Sequence, residues 1–217
     1  MSIALFVSFL AQGAVTTPTP TPTPPGYPAI TLTGPTFDTS TPITGAASLS
    51  GGSGIASGIV LPSTAFTLEL NMRNRSAGSW DYTPNWITLT DSFGHTFSIT
   101  DHDSWPVPYY NGSGSVRGGG GGPRDDTAVH QLCMVCPNGG TQNFYVDGND
   151  VFFYNGGIAV AAGAATLSFN LPANTTIDNI RISDGALHSG NFTPSALTRQ
   201  SNTVVLYTFD GQTGAGS

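Results

Sequence analysis

Few residues in this chain have the type and spacing for chemistry. Cys133 and Cys136 are the only cysteines, set in HQLCMVCPNGG. A C-x-x-C pair suits redox exchange or zinc. A zinc site needs a second ligand pair, and His95, His102, His130 and His188 show no paired spacing. A redox pair of the thioredoxin type opens a helix, whereas this one ends an apolar, strand-like run. Residues i and i+3 of a strand point to opposite faces, about 10 Å apart, too far for a disulfide. Two free thiols, at least one of them buried, are expected. Asp101 and Asp103 in DHDSW share a strand face and form the best acid pair, although such pairs are more often plain loop acids. Oxygen ligands for calcium are sought at the same two residues or at Asp147, Asn149 and Asp150. No EF-hand spacing is present, and YVDGND reads more simply as a hairpin turn, so no metal and no cofactor is assigned. G-x-S-x-G does not occur, and GSGSVRGGGGG is no phosphate loop in a chain without Lys.

The richest group is aromatic. All three Trp fall in one stretch, Trp80 and Trp86 in SWDYTPNW and Trp105 in SWPVPYY. Tyr82, Tyr109, Tyr110, Arg117 and Arg124 lie near them in sequence. Sugars pack their C–H faces on aromatic rings and satisfy their hydroxyls with Asp, Asn and Arg. Trp80, Tyr82, Trp105, Tyr109, Tyr110, Arg117 and Arg124 are therefore the carbohydrate-binding candidates. Trp86, directly ahead of the strand-like ITLT, is expected in the core or at a protein interface.

The elements that must hold these residues read as strands. The chain has 217 residues, of which 9% are charged, with 28 Gly and 16 Pro and a single Glu, Glu69. Helix formers are scarce, while turn formers and β-branched residues are plentiful. FTLELNM alternates as a half-buried strand does. NWITLTDSFGHTFSITD reads as two strands around a turn near Asp91-Ser92-Phe93-Gly94. AVHQLCMVC is apolar enough for a central strand covered on both faces. PNGG and Asp147-Gly148 are turn signals, and ATLSFNLP, TIDNIRIS and TVVLYTFDG complete about ten to twelve strands. The expected fold is all-β, an antiparallel two-sheet jelly-roll sandwich. A net charge of −7 gives no basic patch for nucleic acid.

The start of the chain differs. Residues 1–15 carry an apolar run with Ile3, Leu5, Phe6, Val7, Phe9 and Leu10, far shorter than the ~20 residues of a membrane span. Ala11-Gln12-Gly13 is a passable cleavage site, but the run lacks the basic residue a secretion signal wants. It is read as a retained docking segment covered by another protein. Residues 16–28 follow as a Thr/Pro-rich extended linker, stiff at ~3 Å per residue. Residues 29–217 form the domain.

Four pieces of that domain resemble one family in the right order. VHQLCMVCPNGGTQNFYVDGNDV resembles the strand and YVDG hairpin of concanavalin A-like (laminin G-like) jelly-roll modules, of the type WHHVAVVRDGGTVRLYVDGVLV. IDNIRISDGALHSGNFTPS is similar to the closing IDELRISNVARYTGNFTPP, TVVLYTFDG to the terminal TLLLLHFDG, and FTLELNMR to FTIEFWVR. Together they span about residues 45–211, while residues 77–128 depart from the pattern, with DHDSWPVPYYNGSGSVRGGGGGPRDD as a long loop. The resemblance implies a lectin-like domain. The superfamily's β-glucanases use E-x-D-x-x-E, which a chain with one Glu cannot write, so no enzyme is expected. Such modules occur in tailed-phage virions and in secreted bacterial proteins. The apolar start, Pro spacer and jelly roll together suggest a virion protein: a head decoration, fibre or tail adhesin, assembly-bound or oligomeric, binding neighbouring virion proteins through residues 1–15 and a host-surface glycan through the domain. The alternative is a free-standing secreted bacterial lectin, with a glycoside hydrolase third.

Overall fold

A computed structural model describes residues 26–74, 86–102, 105–111, 115–117, 127–154 and 156–210. The docking segment, most of the linker, Trp80, Tyr82 and Arg124 lie outside them. Thirteen strands and no helix are found among the described residues. Two short strands, β1 (Thr31–Thr33) and β2 (Thr36–Asp38), precede the long β3 (Ser48–Leu61). Then come β4 (Phe66–Asn74), β5 (Ile87–Thr90), β6 (Thr96–His102), β7 (Trp105–Asn111) and β8 (Ser115–Arg117). The rest are β9 (Val129–Cys136), β10 (Gln142–Val146), β11 (Asn149–Tyr154), β12 (Gly163–Asp184) and β13 (Thr203–Tyr207).

All pairings are antiparallel, and they link into two layers through shared strands. One layer runs β11-β10-β9-β4 and then the C-terminal half of β12, which also pairs with β13. The other runs from β3 through the N-terminal half of β12 to β5, β6, β7 and β8. ATLSFNLP and TIDNIRIS are therefore not two strands but one 22-residue strand serving both layers. The crease has a local cause. Against β3, residues 172–175 of β12 are extra: Leu171 pairs with Gly52 and Thr176 with Ser50. Gly51 and Gly52 opposite hold φ of 63° and 75°, which a residue with a Cβ seldom adopts. Both strands thus bend at one place, and the two packed layers of the expected antiparallel sandwich are joined as one continuous sheet folded over on itself.

Between the layers sits the core. Alternation on β4 sends Phe66, Leu68, Leu70 and Met72 inward. Phe66 meets Phe97 of β6 edge-on at 4.9 Å between ring centroids, which closes the sandwich. The inner row of the second layer is Leu167, Leu89, Phe97 and Tyr110, paired strand to strand. Trp86 is buried here too, as its place before ITLT implies. The turn after β5 forms around Asp91, whose carboxylate accepts from the backbone N–H groups of Phe93, His95 and Ala161 and contacts His95 Nδ1.

FTLELNM is not half-buried: Thr67 and Glu69, on the opposite face of β4, are buried as well. The cause is the strap of residues 185–202 after β12. It crosses the outer face of the first layer and is tied down by Leu187 N–H to Thr67 Oγ1, Gln131 Nε2 to Ser195 O and Phe192 N–H to Gly148 O. β9 is covered on both faces for the same reason, and its two thiols part: Cys136 joins the main core, while Cys133 joins Val135, Tyr145 and Phe192 beneath the strap. Both are free and buried.

Candidate functional site

The outer face of the second layer carries polar residues in ordered rows. Register places Ser168, Thr88, Ser98, Tyr109 and Arg117 in one cross-strand row. A parallel row two residues along runs Thr166, Thr90, Thr96 and Asn111. Side chains alternate along a strand, so once Leu89 and Phe97 fill the core, Thr88, Thr90 and Ser98 lie on the opposite face, where Thr88 and Thr90 are half-buried and Ser98 is fully buried beneath its neighbours. Thr88 Oγ1 and Ser98 Oγ lie 2.8 Å apart, and Tyr109 is half-buried beside them. Each hydroxyl both donates and accepts, and the tyrosine adds an apolar ring. Such a face suits a flat, uncharged ligand rich in hydroxyls.

This face sorts the candidates read from sequence. Tyr109 is on it. Arg117 pairs with Tyr109 in register, and Trp105 lies four residues before Tyr109 on the same strand, β7. The structure brings Trp105, Tyr109 and Arg117 into one strand pair. Tyr110 falls on the other side: its ring is 0% exposed and stacks on Phe97 at 5.1 Å. Its hydroxyl accepts from Ala159 N–H at 2.9 Å and donates to Ala159 O. Adjacent residues of a strand cannot share a face, so Tyr110 is corrected to a core residue. The stretch around Trp105, read as loop, is a strand despite Pro106 and Pro108. Prolines two apart withhold their donors from the same edge, and β8 pairs with β7 only from Tyr109 onward. The threonine and serine rows were missed, although the alternation in NWITLTDSFGHTFSIT is their signal.

A second surface feature is an open cleft of about 560 Å³ lined by Asp150, Val151, Phe152 and Phe153 of β11. Phe153 is 61% exposed. Burial pushes the Asp150 carboxyl above its ordinary range, against the opposing hydrogen bond from Phe152 N–H. Asp147, with φ of 51°, turns the chain and pairs with His130 at 2.6 Å, and Asn149 donates to Asp147 O.

Beneath the strap lies a buried polar row. Arg181, Glu69, Cys133 and Tyr145 are paired strand to strand. Arg181 donates from Nε and Nη2 to Glu69 Oε2 at 2.8 and 2.6 Å, and from Nη1 to Thr198 O. His188 of the strap stacks on Phe192 at 3.7 Å with a 9° interplanar angle. Its Nε2 stands 3.8 Å from Glu69 Oε1. Burial, then the nearby Glu69, pushes the Cys133 thiol up.

The sequence matches no protein-family model, and a search of curated proteins gives no match. Solved structures do resemble the fold. Domain 4 of AbnA, a GH43 extracellular arabinanase from Geobacillus stearothermophilus solved in complex with arabinotriose, matches with a TM-score of 0.58 at 19% identity, over 75% of this chain and 85% of that domain. The binding domain of Paraclostridial Mosquitocidal Protein 1 matches at 0.54 with 12% identity, over 74% of this chain. The Botulinum neurotoxin serotype G binding domain matches at 0.51 with 13% identity, over 76% of this chain. The chain spans 45% of each of these last two structures. The fold is a curled, all-antiparallel β-sandwich that resembles these three domains. Two of the three are binding domains. The likeness overturns the expected virion location: none of these three structures is a virion part, and the arabinanase is extracellular.

Proposed function

We propose that this chain is a non-enzymatic, carbohydrate-binding domain that works outside the cell or at its surface. The observation that carries this reading is the outer face of the second layer, where the half-buried Ser168, Thr88 and Tyr109 stand in one row around the buried Ser98, with Thr166, Thr90 and Thr96 in the row beside it. A pyranose or furanose ring offers hydroxyls at spacings that a hydroxyl ladder meets, and C–H groups that a tyrosine ring covers. The likeness to a domain solved with arabinotriose supports the same reading. Tyr109 stacks on the sugar, with Trp105 and Arg117 of the same strand pair beside it. Trp80, Tyr82 and Arg124, from the flanking stretches, add further contacts. With the virion location overturned, the apolar run Ile3 to Leu10 is assigned as an export signal in place of a docking segment, despite its lack of a basic residue, and the Thr/Pro stretch as a spacer.

A glycan array with the whole chain tests the reading, followed by calorimetry on the best ligand. Binding of a neutral oligosaccharide, weakened by Tyr109→Ala and unchanged by Phe153→Ala, supports it. Loss through Phe153→Ala alone moves the site to the β11 cleft. Absence of any binding at millimolar glycan ends the carbohydrate reading. Export is tested separately, by sequencing the N-terminus of protein recovered from the culture medium.

A further inference from the structure

The row beneath the strap has no part in glycan recognition, yet it collects three different metal-ligating side chains. Glu69 and Cys133 are directly opposed on β4 and β9, and His188 comes down on them from the strap. One ligand atom from each, a carboxylate oxygen, the Cys133 Sγ and a His188 ring nitrogen, lie within 4.8 Å of one another. The arrangement is held from outside. Arg181 occupies Glu69 Oε2 and so fixes the carboxylate with Oε1 toward His188. The His188 ring is clamped by its stack on Phe192 and by the edge of Tyr145 at 6.1 Å.

One feature of this cluster points to a ligand. His188 Nε2 is buried and has no hydrogen-bond partner. A buried ring nitrogen without a partner costs about 1–3 kcal/mol, and here it faces a carboxylate at a distance too long for a hydrogen bond, 3.8 Å. We propose that Glu69, Cys133 and His188 form a zinc site, with Glu69 Oε1, Cys133 Sγ and His188 Nε2 as ligands and one coordination position left for water. Sulfur, imidazole nitrogen and carboxylate oxygen together are a donor set of zinc type. Bonds of about 2.0–2.3 Å place tetrahedral ligands some 3.3–3.8 Å apart. Glu69 Oε1 and His188 Nε2, 3.8 Å apart, stand slightly outside the ~3.3 Å of an oxygen–nitrogen pair on such bonds, so an inward shift of the strap is needed to bring His188 onto Glu69 and Cys133, which face each other across β4 and β9. As the sulfur–zinc bond forms, the Cys133 proton leaves to bulk water. Access is from the strap side, where the His188 side chain is 23% exposed. The ion would pin the strap to β4 and β9, a structural role.

The test uses the whole chain stripped with a chelator and titrated with Co²⁺ and Zn²⁺. The expected result is one equivalent bound, a thiolate-to-cobalt charge-transfer band, and a rise in Tm on adding zinc. Cys133→Ser abolishes the band, and Cys136→Ser leaves it intact. His188→Gln weakens zinc binding by at least about tenfold, since even loss of an outer-shell partner has effects of 10–100-fold. The proposal is overturned if the wild type shows no such band, or if the band survives Cys133→Ser. If Cys133→Ser does not fold, His188→Gln decides, and an unchanged zinc affinity overturns the proposal.

Discussion

Neighbouring tyrosines on β7 show how far one residue's neighbourhood decides its role. Tyr109 and Tyr110 are consecutive and chemically identical, yet one faces the hydroxyl rows and the other fills the core against Phe97. Tyr110→Ala removes a fully buried ring and orphans the Ala159 hydrogen bonds, so it should cost about 3–5 kcal/mol in urea denaturation. Tyr109→Ala should cost less than about 1 kcal/mol in that assay and instead weaken glycan binding by about 1–3 kcal/mol. Reversed outcomes would place the binding face on the wrong side of β7. Gly148 is also fixed by its neighbourhood. It turns the β10–β11 hairpin at φ of 76°, and a Cβ there would sit 1.8 Å from Phe192 O. Gly148→Ala combines left-handed backbone strain with displacement of the strap, so unfolding should become easier by at least about 2 kcal/mol. A change within error would show that the strap moves aside freely.

At the scale of elements, what was legible in sequence was local and what was not was long-range. Period-two alternation located β4, an unbroken apolar run located β9, two strand-like runs around a turn gave β5 and β6, and Asn138-Gly139 and Asp147-Gly148 located two turns, because each signal sits within a few residues. The aromatic region looked like a loop because its prolines and glycines depress strand propensity; register with β6 overrides that for β7. The single β12 was hidden because Pro172 reads as a terminator, whereas it marks a crease. The hydroxyl rows could have been found by pairing ITLT against TFSIT. The buried row could not, because Glu69 and Arg181 are 112 residues apart and the strap that seals them has no periodic pattern. That ion pair makes a prediction at the same scale. Arg181→Met leaves a buried carboxylate without its partner and should cost about 3–5 kcal/mol. Adding Glu69→Gln should restore much of the loss, since a buried pair is expensive to break and cheap to replace. A double-mutant cycle by chemical denaturation checks this; additive losses would show that the two side chains are not coupled.

The whole molecule has an unusual alkaline profile, because it contains no Lys and its response to base rests on thiols and phenols. Burial pushes Tyr207 up to about 12 and the Cys136 thiol up as well. In both cases the folded state keeps a proton that the unfolded chain gives up. Their contribution to stability is complete below about pH 8.5 for the thiol and about pH 10 for the phenol. It falls as pH rises toward the folded values. Tm should therefore hold from pH 7 to 8.5 and then decline. Tyr207→Phe should flatten the decline between pH 10 and 12, after a small loss at neutral pH from the missing bond to Pro28 O. An unchanged slope would mean that another group governs alkaline unfolding. The shared strand has a further meaning in time. β3, β4 and β5 all find their common partner in β12, which is made only at residues 163–184, and β13 and Phe209 follow later still. As the chain leaves the ribosome, the residues before β12 lack the strand that joins the two layers around one core. They stay threadable, the condition a translocation channel demands. Stalled nascent chains ending before β12 should remain open to protease, and protection should arrive in one step once β13 has emerged.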